Sequence, residues 1–214
     1  MMSYDCRTLA ERDQGIAAAV EAVKSGQLVV FPTGTMYGLG ADAFDEDAVA
    51  ELRRLKDHGR DVASPVMVGS QQTLDGLVLV LPQAARELVE AYWPGELSVI
   101  VEHAPSLAWD IGDTDGTFLV RQPLHPVALE LLRETGPMVV VGASLPGKTP
   151  PTTAEEAQEQ LGSAVSVYLE AGPGGEAVPS TIVDCAEEPP MLLRAGALSL
   201  DTLRTVVPEL VESD

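Results

Sequence analysis

The segment VVFPTGTMYGLGA, residues 29–41, is the most informative part of this 214-residue chain. It opens with an apolar run that stops at Pro32, and two threonines, a tyrosine and three glycines then follow within nine residues. This order predicts a buried strand that runs into a tight loop, where backbone amides and small hydroxyls can approach a ligand closely. An ordinary connection between a strand and a helix is the alternative interpretation of the same residues.

The net charge of the chain narrows the classes of partner. Thirteen Lys and Arg stand against 33 Asp and Glu, which gives a formal net charge of −20. Long-range repulsion opposes contact with phosphate backbones and with anionic membranes. We therefore expect no membrane contact and no direct tight RNA binding, while a small basic pocket for a nucleotide stays open. The dense basic cluster consists of Arg53, Arg54, Lys56, His58 and Arg60.

The cysteines and acidic residues give no sign of a metal site. Cys6 and Cys185 are too few for a disulfide framework and lack metal-ligand spacing, so we expect both to be reduced and structural. Residues 110–116 offer three carboxylates but lack the spacing and closing Glu of an EF-hand, which favours a solvated turn. The sequence shows no apolar signal region or membrane-length run, so a cytoplasmic location is the default expectation.

Apolar periodicity and turn residues predict interleaved helices and strands. Apolar residues at helical spacing from Ile16 to Val23 predict a helix that Gly26 closes. Asp45 is expected to cap a second helix and Ser199 the last one. Further helices are predicted at 82–93, 126–133 and 153–161, and strands at 28–31, 65–68, 97–101, 117–120, 138–141, 165–169, 181–183 and 191–193.

The spacing of these elements predicts the fold class. Several predicted strands lie too close in sequence for helical crossovers, which favours a mixed sheet over a purely parallel one. We expect an α/β (α+β mixed) fold, with a twisted sheet of parallel and antiparallel strands flanked by helices. Since no repeat or linker interrupts the pattern, we expect a single domain over residues 1–214, with its core at about 15–196 and a C-terminal helix at 199–210.

Five segments hold the residues that could carry chemistry. They are PTGTMYGLGA (32–41), KDHGR (56–60), WPGELSVIV (93–101), TFLVRQPLHP (117–126) and PSTIVDC (179–185). Their order, spacing and residue types resemble those of the YrdC-like family, the threonylcarbamoyl-AMP synthases, over residues 15–196. The resemblance implies a twisted α/β sheet with a large concave ligand cavity, which agrees with the fold expected from the pattern of elements.

The resemblance also implies a reaction of the nucleotidyltransferase type. Members of this family condense L-threonine, bicarbonate and ATP to threonylcarbamoyl-AMP and pyrophosphate, and a separate tRNA threonylcarbamoyl transferase then modifies an adenosine of tRNA. Such a transfer asks the protein mainly for positioning and cationic stabilisation. Mg²⁺ would arrive on the ATP and need few protein ligands. A monomer or homodimer is expected.

The family's functional positions are carried over residue by residue. Lys56 and Arg60 would face the phosphates and the carbamate as catalytic residues. Four residues would contact threonine or its carbamate: Thr33, Tyr37, Arg121 and Ser180. Six would contact the nucleotide: His58, Ser64, Thr117, Gly142, Ser144 and Arg194. Independently of the resemblance, Arg121 ends an apolar strand, and a charge in such a place needs a partner or a ligand.

The chain departs from the family pattern at three places. An acidic residue is usual between the two threonines of the loop, where this chain has Gly34. The family's Lys-x-Arg pair keeps Lys56 with His58 in place of arginine, or, in a shifted alignment, keeps Arg60 with His58 in place of lysine. The family's Ser-Ala-Asn reads Gly142-Ala143-Ser144 here.

Two hypotheses therefore stay open. The first is an enzyme of the threonylcarbamoyl-AMP synthase type, with full or reduced activity. The second is a catalytically weakened or inactive relative that binds a nucleotide or amino acid as a sensor or partner protein. Each lost hydrogen bond to a charged group costs about 1.5–3 kcal/mol, and every 1.4 kcal/mol changes a rate about tenfold.

Overall fold

The computed structural model describes residues 1–34, 36–175 and 178–213. Within these ranges the helices are α1 (Leu9–Lys24), α2 (Glu46–Leu55), α3 (Gln71–Leu77), α4 (Gln83–Tyr92), α5 (Pro126–Thr135), α6 (Ala154–Leu161) and α7 (Leu200–Arg204). The strands are β1 (Met2–Asp5), β2 (Val29–Pro32), β3 (Tyr37–Asp42), β4 (Val66–Met67), β5 (Leu97–Glu102), β6 (Thr117–Arg121), β7 (Met138–Gly142), β8 (Val167–Glu170), β9 (Thr181–Asp184), β10 (Met191–Arg194) and β11 (Val211–Glu212).

The strands form one mixed sheet in the order β1-β8-β2-β3-β7-β4-β6-β5-β9-β10-β11. Neighbours pair in parallel at β1/β8, β2/β8, β4/β6, β5/β9 and β10/β11, and antiparallel at the other five junctions. The expected mixed α/β fold is therefore confirmed. Among the described residues, none of the helices has the length and apolar character needed to cross a membrane.

Apolar layers cover both faces of the sheet. All four residues of β2 are buried, and they alternate in direction, because successive side chains of a strand point to opposite faces. Val29 and Phe31 pack with α1 and α5 in one apolar cluster, whereas Val30 packs in the other cluster with α2 and α4. Burial on both faces explains why β2 reads as an unbroken apolar run.

The opening segment behaves differently from its prediction in one respect. The strand that ends at Pro32 is confirmed, but Tyr37–Asp42, expected as part of a loop, forms strand β3 antiparallel to β2. Two of the three glycines therefore lie in a strand. A Cβ atom on Gly38 would lie 2.6 Å from Val140 Cγ1, and one on Gly40 would lie 2.8 Å from Met138 Cε. Both glycines allow side chains of β7 to pack closely against β3.

Capping positions were predicted well, and the chain ends less well. Asp45 accepts a hydrogen bond from Ala48 N at 2.9 Å, and Ser199 accepts one from Thr202 N at 3.2 Å. The last helix is shorter than the expected 199–210, because it ends at Arg204. The β-branched residues Val206 and Val207 have a low helix propensity. Pro208 in addition disfavours helical backbone in the residue before it. Strands β1 and β11 and helix α3 were not predicted.

Candidate functional site

A concave cavity opens where the central strands β4, β6, β7 and β9 come together. Its volume is about 310 Å³. It is lined by Met36, His58, Ala63, Pro65, Val66, Met67, Ser98, Leu119, Val120, Arg121, Val140, Val141, Gly142, Ser180, Ile182 and Arg194. A smaller hollow of about 90 Å³ adjoins it, lined also by Thr33, Tyr37 and Gly38. The two share six lining residues and together form one candidate site.

Arg121, at the end of β6, is the central charged residue of this site. Its side chain is only 11% exposed and lines both parts of the cavity. Its Nε donates to the Gly95 carbonyl at 2.9 Å, and its Nη2 donates to the Thr33 carbonyl at 3.2 Å and to the Glu96 carboxylate. Burial lowers the pKa of Arg121, yet guanidinium stays charged in proteins. The guanidinium group is thus held in place by hydrogen bonds from its Nε and Nη2.

Thr33 and Tyr37 are fixed at the loop that precedes β3. The buried Thr33 hydroxyl donates to the Met36 carbonyl at 2.9 Å. The Tyr37 hydroxyl lies 3.0 Å from Glu170 Oε1 and 2.7 Å from the Gly172 carbonyl oxygen, and it accepts a hydrogen bond from Ala171 N. Burial raises the pKa of this phenol. Tyr37 shapes the smaller hollow while its hydroxyl is engaged at the end of β8.

Ser180 and Arg194 close another side of the cavity. The Ser180 Oγ lies 3.0 Å from Ser98 Oγ, and Arg194 Nη2 donates to both the Oγ and the carbonyl of Ser180. Strand pairing explains the grouping, because Ser98 stands opposite Arg121 on one side and Ile182 on the other. Ser180, Arg121 and Arg194, all predicted from the motifs, therefore meet at one cavity.

Lys56 reaches the end of β7. It is the C-terminal cap residue of α2, and its Nζ donates to the carbonyl oxygens of Gly142 and Ser144, the former at 2.9 Å. Partial burial lowers the pKa of Lys56. Gly142 lines the cavity, so Lys56 lies beside the site with its ammonium group already hydrogen-bonded to backbone.

Arg60 is not brought into the cavity, contrary to its expected position. Its guanidinium pairs with Asp110 and, at 3.1 Å, with Asp113, and its side chain is 60% exposed. The 110–116 segment, expected as a solvated turn, thus holds this cation, and Asp113 N also donates to the Arg60 carbonyl. His58 does line the cavity. The local geometry places His58, and not Arg60, at the cavity.

Ser64 and Thr117 are two further residues that the structure keeps away from the cavity. The buried Ser64 hydroxyl accepts a hydrogen bond from Arg53 Nη1 at 3.1 Å, so it links its own segment to helix α2. Thr117 donates to the Thr114 carbonyl at 2.9 Å. It lies four residues before Arg121 on β6, about 13 Å away at the rise of a strand. Sharing a strand face with Arg121 therefore does not bring Thr117 to the cavity.

Glu96 is the charged residue that the sequence analysis missed. It lies inside the WPGELSVIV segment, but the sequence alone does not reveal its role, because the partner of a carboxylate becomes visible only when the strands pair. Its side chain is 20% exposed and pairs with Arg121. Burial raises the pKa of Glu96, and the charge of Arg121 opposes that rise. Over the described ranges, no group of three or more His, Cys, Asp or Glu could hold a metal ion.

Comparison with known proteins identifies the family. Residues 21–196 match the family model for Sua5, YciO and YrdC, which is described by the phrase telomere recombination. The chain belongs to the Sua5/YciO/YrdC family. A Mycobacterium tuberculosis protein that carries the provisional name threonylcarbamoyl-AMP synthase is 52% identical over 205 residues, 96% of this chain and 94% of that protein.

Two more distant members of the Sua5/YciO/YrdC family extend the comparison. The threonylcarbamoyl-AMP synthase of Bacillus subtilis is 34% identical over 93% of this chain, which spans 58% of that protein. The crystal structure of Pyrococcus abyssi Sua5 complexed with L-threonine matches with a TM-score of 0.88 at 30% identity, over 100% of this chain and 63% of that one. The chain therefore spans less than two thirds of these two longer relatives.

Proposed function

We propose that this chain catalyses the threonylcarbamoyl-AMP synthase reaction, in which L-threonine, bicarbonate and ATP give threonylcarbamoyl-AMP and pyrophosphate. The observation that carries the proposal is the convergence of Arg121, Ser180 and Arg194 on one cavity, in a fold that matches a threonine-complexed structure. A cavity of about 310 Å³ lies within the range typical of small-molecule sites.

The residues suggest a division of roles within the cavity. Arg121 suits the threonine carboxylate, because its Nε and Nη2 are held by protein acceptors while its charged Nη1 still carries N–H groups that can donate to a carboxylate oxygen. Arg194, together with Lys56 beside Gly142, suits the phosphates of ATP, which would bring its own Mg²⁺. A carbamate, formed from the threonine amine and bicarbonate with loss of water, would attack the α-phosphate through one of its oxygens and release pyrophosphate. In such a transfer the protein contributes orientation and positive charge.

The product calls for a second enzyme. A mixed anhydride such as threonylcarbamoyl-AMP is an activated acyl donor, so we infer a downstream transferase that accepts the group on tRNA, in a cytoplasmic setting.

A second candidate function, ligand binding without catalysis, is supported by the contacts that Lys56 and Arg60 already make within the protein. Lys56 donates to two backbone carbonyls and Arg60 pairs with Asp110 and Asp113, so both expected phosphate-facing groups are engaged elsewhere. That arrangement favours a relative that binds an amino acid or nucleotide without turnover.

Calorimetric titration and a pyrophosphate-release assay on one sample distinguish the candidates. Titration uses Mg²⁺-ATP and L-threonine separately, and the assay adds bicarbonate. Binding with threonine-dependent release supports the synthase. Binding of either ligand without release supports the binding protein. Absence of binding by both ligands would overturn both candidates.

A further inference from the structure

Gly34 and Glu96 form a matched pair at the ligand site. Gly34 has a φ angle of +125°, which L side chains rarely adopt. A Cβ atom built on Gly34 would lie 2.9 Å from Glu96 Oε1 and 3.6 Å from Arg121 Nη2. The carboxylate of Glu96 thus fills the space beside Gly34 that a side chain at position 34 would otherwise enter.

The carboxylate of Glu96 acts on the ligand site through Arg121. Glu96 is absent from the residues lining either part of the cavity, within the described portion of the chain. Its Oε1 accepts from Arg121 Nη2, the nitrogen that also donates to the Thr33 carbonyl. Its Oε2 is buried and finds no partner among the described residues. Burying a carboxylate costs desolvation free energy, and here the ion pair with Arg121 is the interaction that offsets this cost.

We propose that Glu96 is a positioning residue for ligand binding, which takes the space left by Gly34 and holds the Arg121 guanidinium in the orientation that meets the ligand carboxylate. The ligand assignment rests on the proposed function, whereas the hold on Arg121 does not. Glu96, in the residue before β5, thus brings a carboxylate to the space that Gly34 leaves open.

The hold on Arg121 is tested by its chemical reactivity in the full chain. Phenylglyoxal modification of Arg121 is followed by mass spectrometry in wild type, Glu96→Ala, Glu96→Gln and the control Glu102→Ala, an exposed position at the far end of β5. The exposed Arg133 serves as an internal standard. We expect severalfold faster modification of Arg121 in Glu96→Ala, an intermediate rate in Glu96→Gln, which keeps an acceptor oxygen, and wild-type behaviour in Glu102→Ala.

Threonine affinity is then measured on the same variants. Glu96→Ala should weaken L-threonine binding by roughly tenfold or more, the fold-change of one lost charge-assisted hydrogen bond, and Glu96→Gln should recover part of it. Gly34→Ala should weaken binding more in wild type than in the Glu96→Ala background. Backbone strain is the same in both backgrounds, so this difference isolates the contact between position 34 and Glu96.

The outcomes separate the two proposals. Unchanged Arg121 reactivity in folded Glu96→Ala, with folding checked by its melting temperature, would overturn the positioning role. So would Gly34→Ala effects that are equal in both backgrounds. Faster Arg121 modification in Glu96→Ala, in a chain whose wild type does not bind L-threonine, would support the hold on Arg121 while the proposed ligand fails.

Discussion

Arg121 shows how one residue can serve both the fold and the site. Its inner nitrogens satisfy two backbone carbonyls, from Gly95 and Thr33, which belong to segments far apart in sequence. The desolvation that lowers its pKa is offset by the Glu96 carboxylate. A side chain so tied loses little conformational entropy when a ligand binds, because its rotamer is already fixed.

Replacing Arg121 by Lys should therefore be far from conservative. A lysine keeps the charge but cannot donate to Gly95, Thr33 and Glu96 while also meeting a ligand carboxylate, since it lacks the planar fork. We expect Arg121→Lys to raise the dissociation constant for L-threonine by roughly tenfold or more. Calorimetric titration measures it, with Arg133→Lys, on the exposed face of α5, as the control. Wild-type affinity in Arg121→Lys would contradict the assigned role.

His125 gives a residue-scale prediction about pH. Its Nδ1 accepts a hydrogen bond from Val127 N at 3.3 Å and caps α5. Burial and the charge of Arg12 lower the pKa of His125 below its usual value of 6.5. Between the folded and unfolded pKa values the unfolded chain binds more protons, so the free energy of unfolding falls as pH drops below about 6.5.

The variant His125→Asn removes this titration and keeps a good cap residue. Its free energy of unfolding should consequently fall less than that of wild type between pH 7 and pH 5, measured by urea unfolding at each pH. Equal losses in the two proteins would show that protonation of His125 does not weaken the cap.

At the scale of elements, short-range signals were readable from the sequence and long-range pairings were not. Helix α2 was predicted because Asp45 precedes an apolar stripe, and both features are local. Strand β3 was missed because its glycines read as loop residues, and only the approach of Val140 and Met138 from β7 explains them. The position of Ser98 opposite Arg121 depends on strand register, which composition cannot fix.

The same distinction holds within the site. Thr33, Tyr37, Ser180 and Arg194 lie at the cavity because motifs mark backbone positions that the fold preserves. Arg60 was misplaced because the partner that holds it, Asp110, lies fifty residues away in sequence. Ion pairs of this kind form only when two loops meet, so their effect on a motif residue is invisible before the fold is known.

The cap of α2 supports an element-scale prediction. The Asp45 side chain accepts from Ala48 N and satisfies one of the free N–H groups at the helix start. Asp45→Ala should lower the free energy of unfolding by about 1 kcal/mol, whereas Asp45→Asn should stay close to wild type. Urea unfolding measures both. A similar loss in the two variants would mean that the charge of Asp45, and not its cap, stabilises α2.

At the scale of the whole molecule, the two cysteines report on the two faces of the sheet. Cys6 belongs to the apolar cluster formed with α1 and α5, and Cys185 belongs to the cluster on the opposite face. Both are free and buried. Burial raises the pKa of the Cys6 thiol to about 11 and that of the Cys185 thiol to about 12. Since the thiolate is the reactive form, both should be inert to alkylation near pH 8.

Thiol reactivity consequently tests whether the chain unfolds as one domain. In a single cooperative unit, both clusters open in the same transition, so Cys6 and Cys185 should become reactive at the same urea concentration. Iodoacetamide labelling of Cys6→Ser and Cys185→Ser, quantified by mass spectrometry along a urea series, measures each thiol alone, with the midpoints corrected for each variant's own stability. We expect coincident midpoints, because every strand of both clusters belongs to the same sheet. Midpoints that remain apart after correction would show that the two faces open separately and would contradict a single domain.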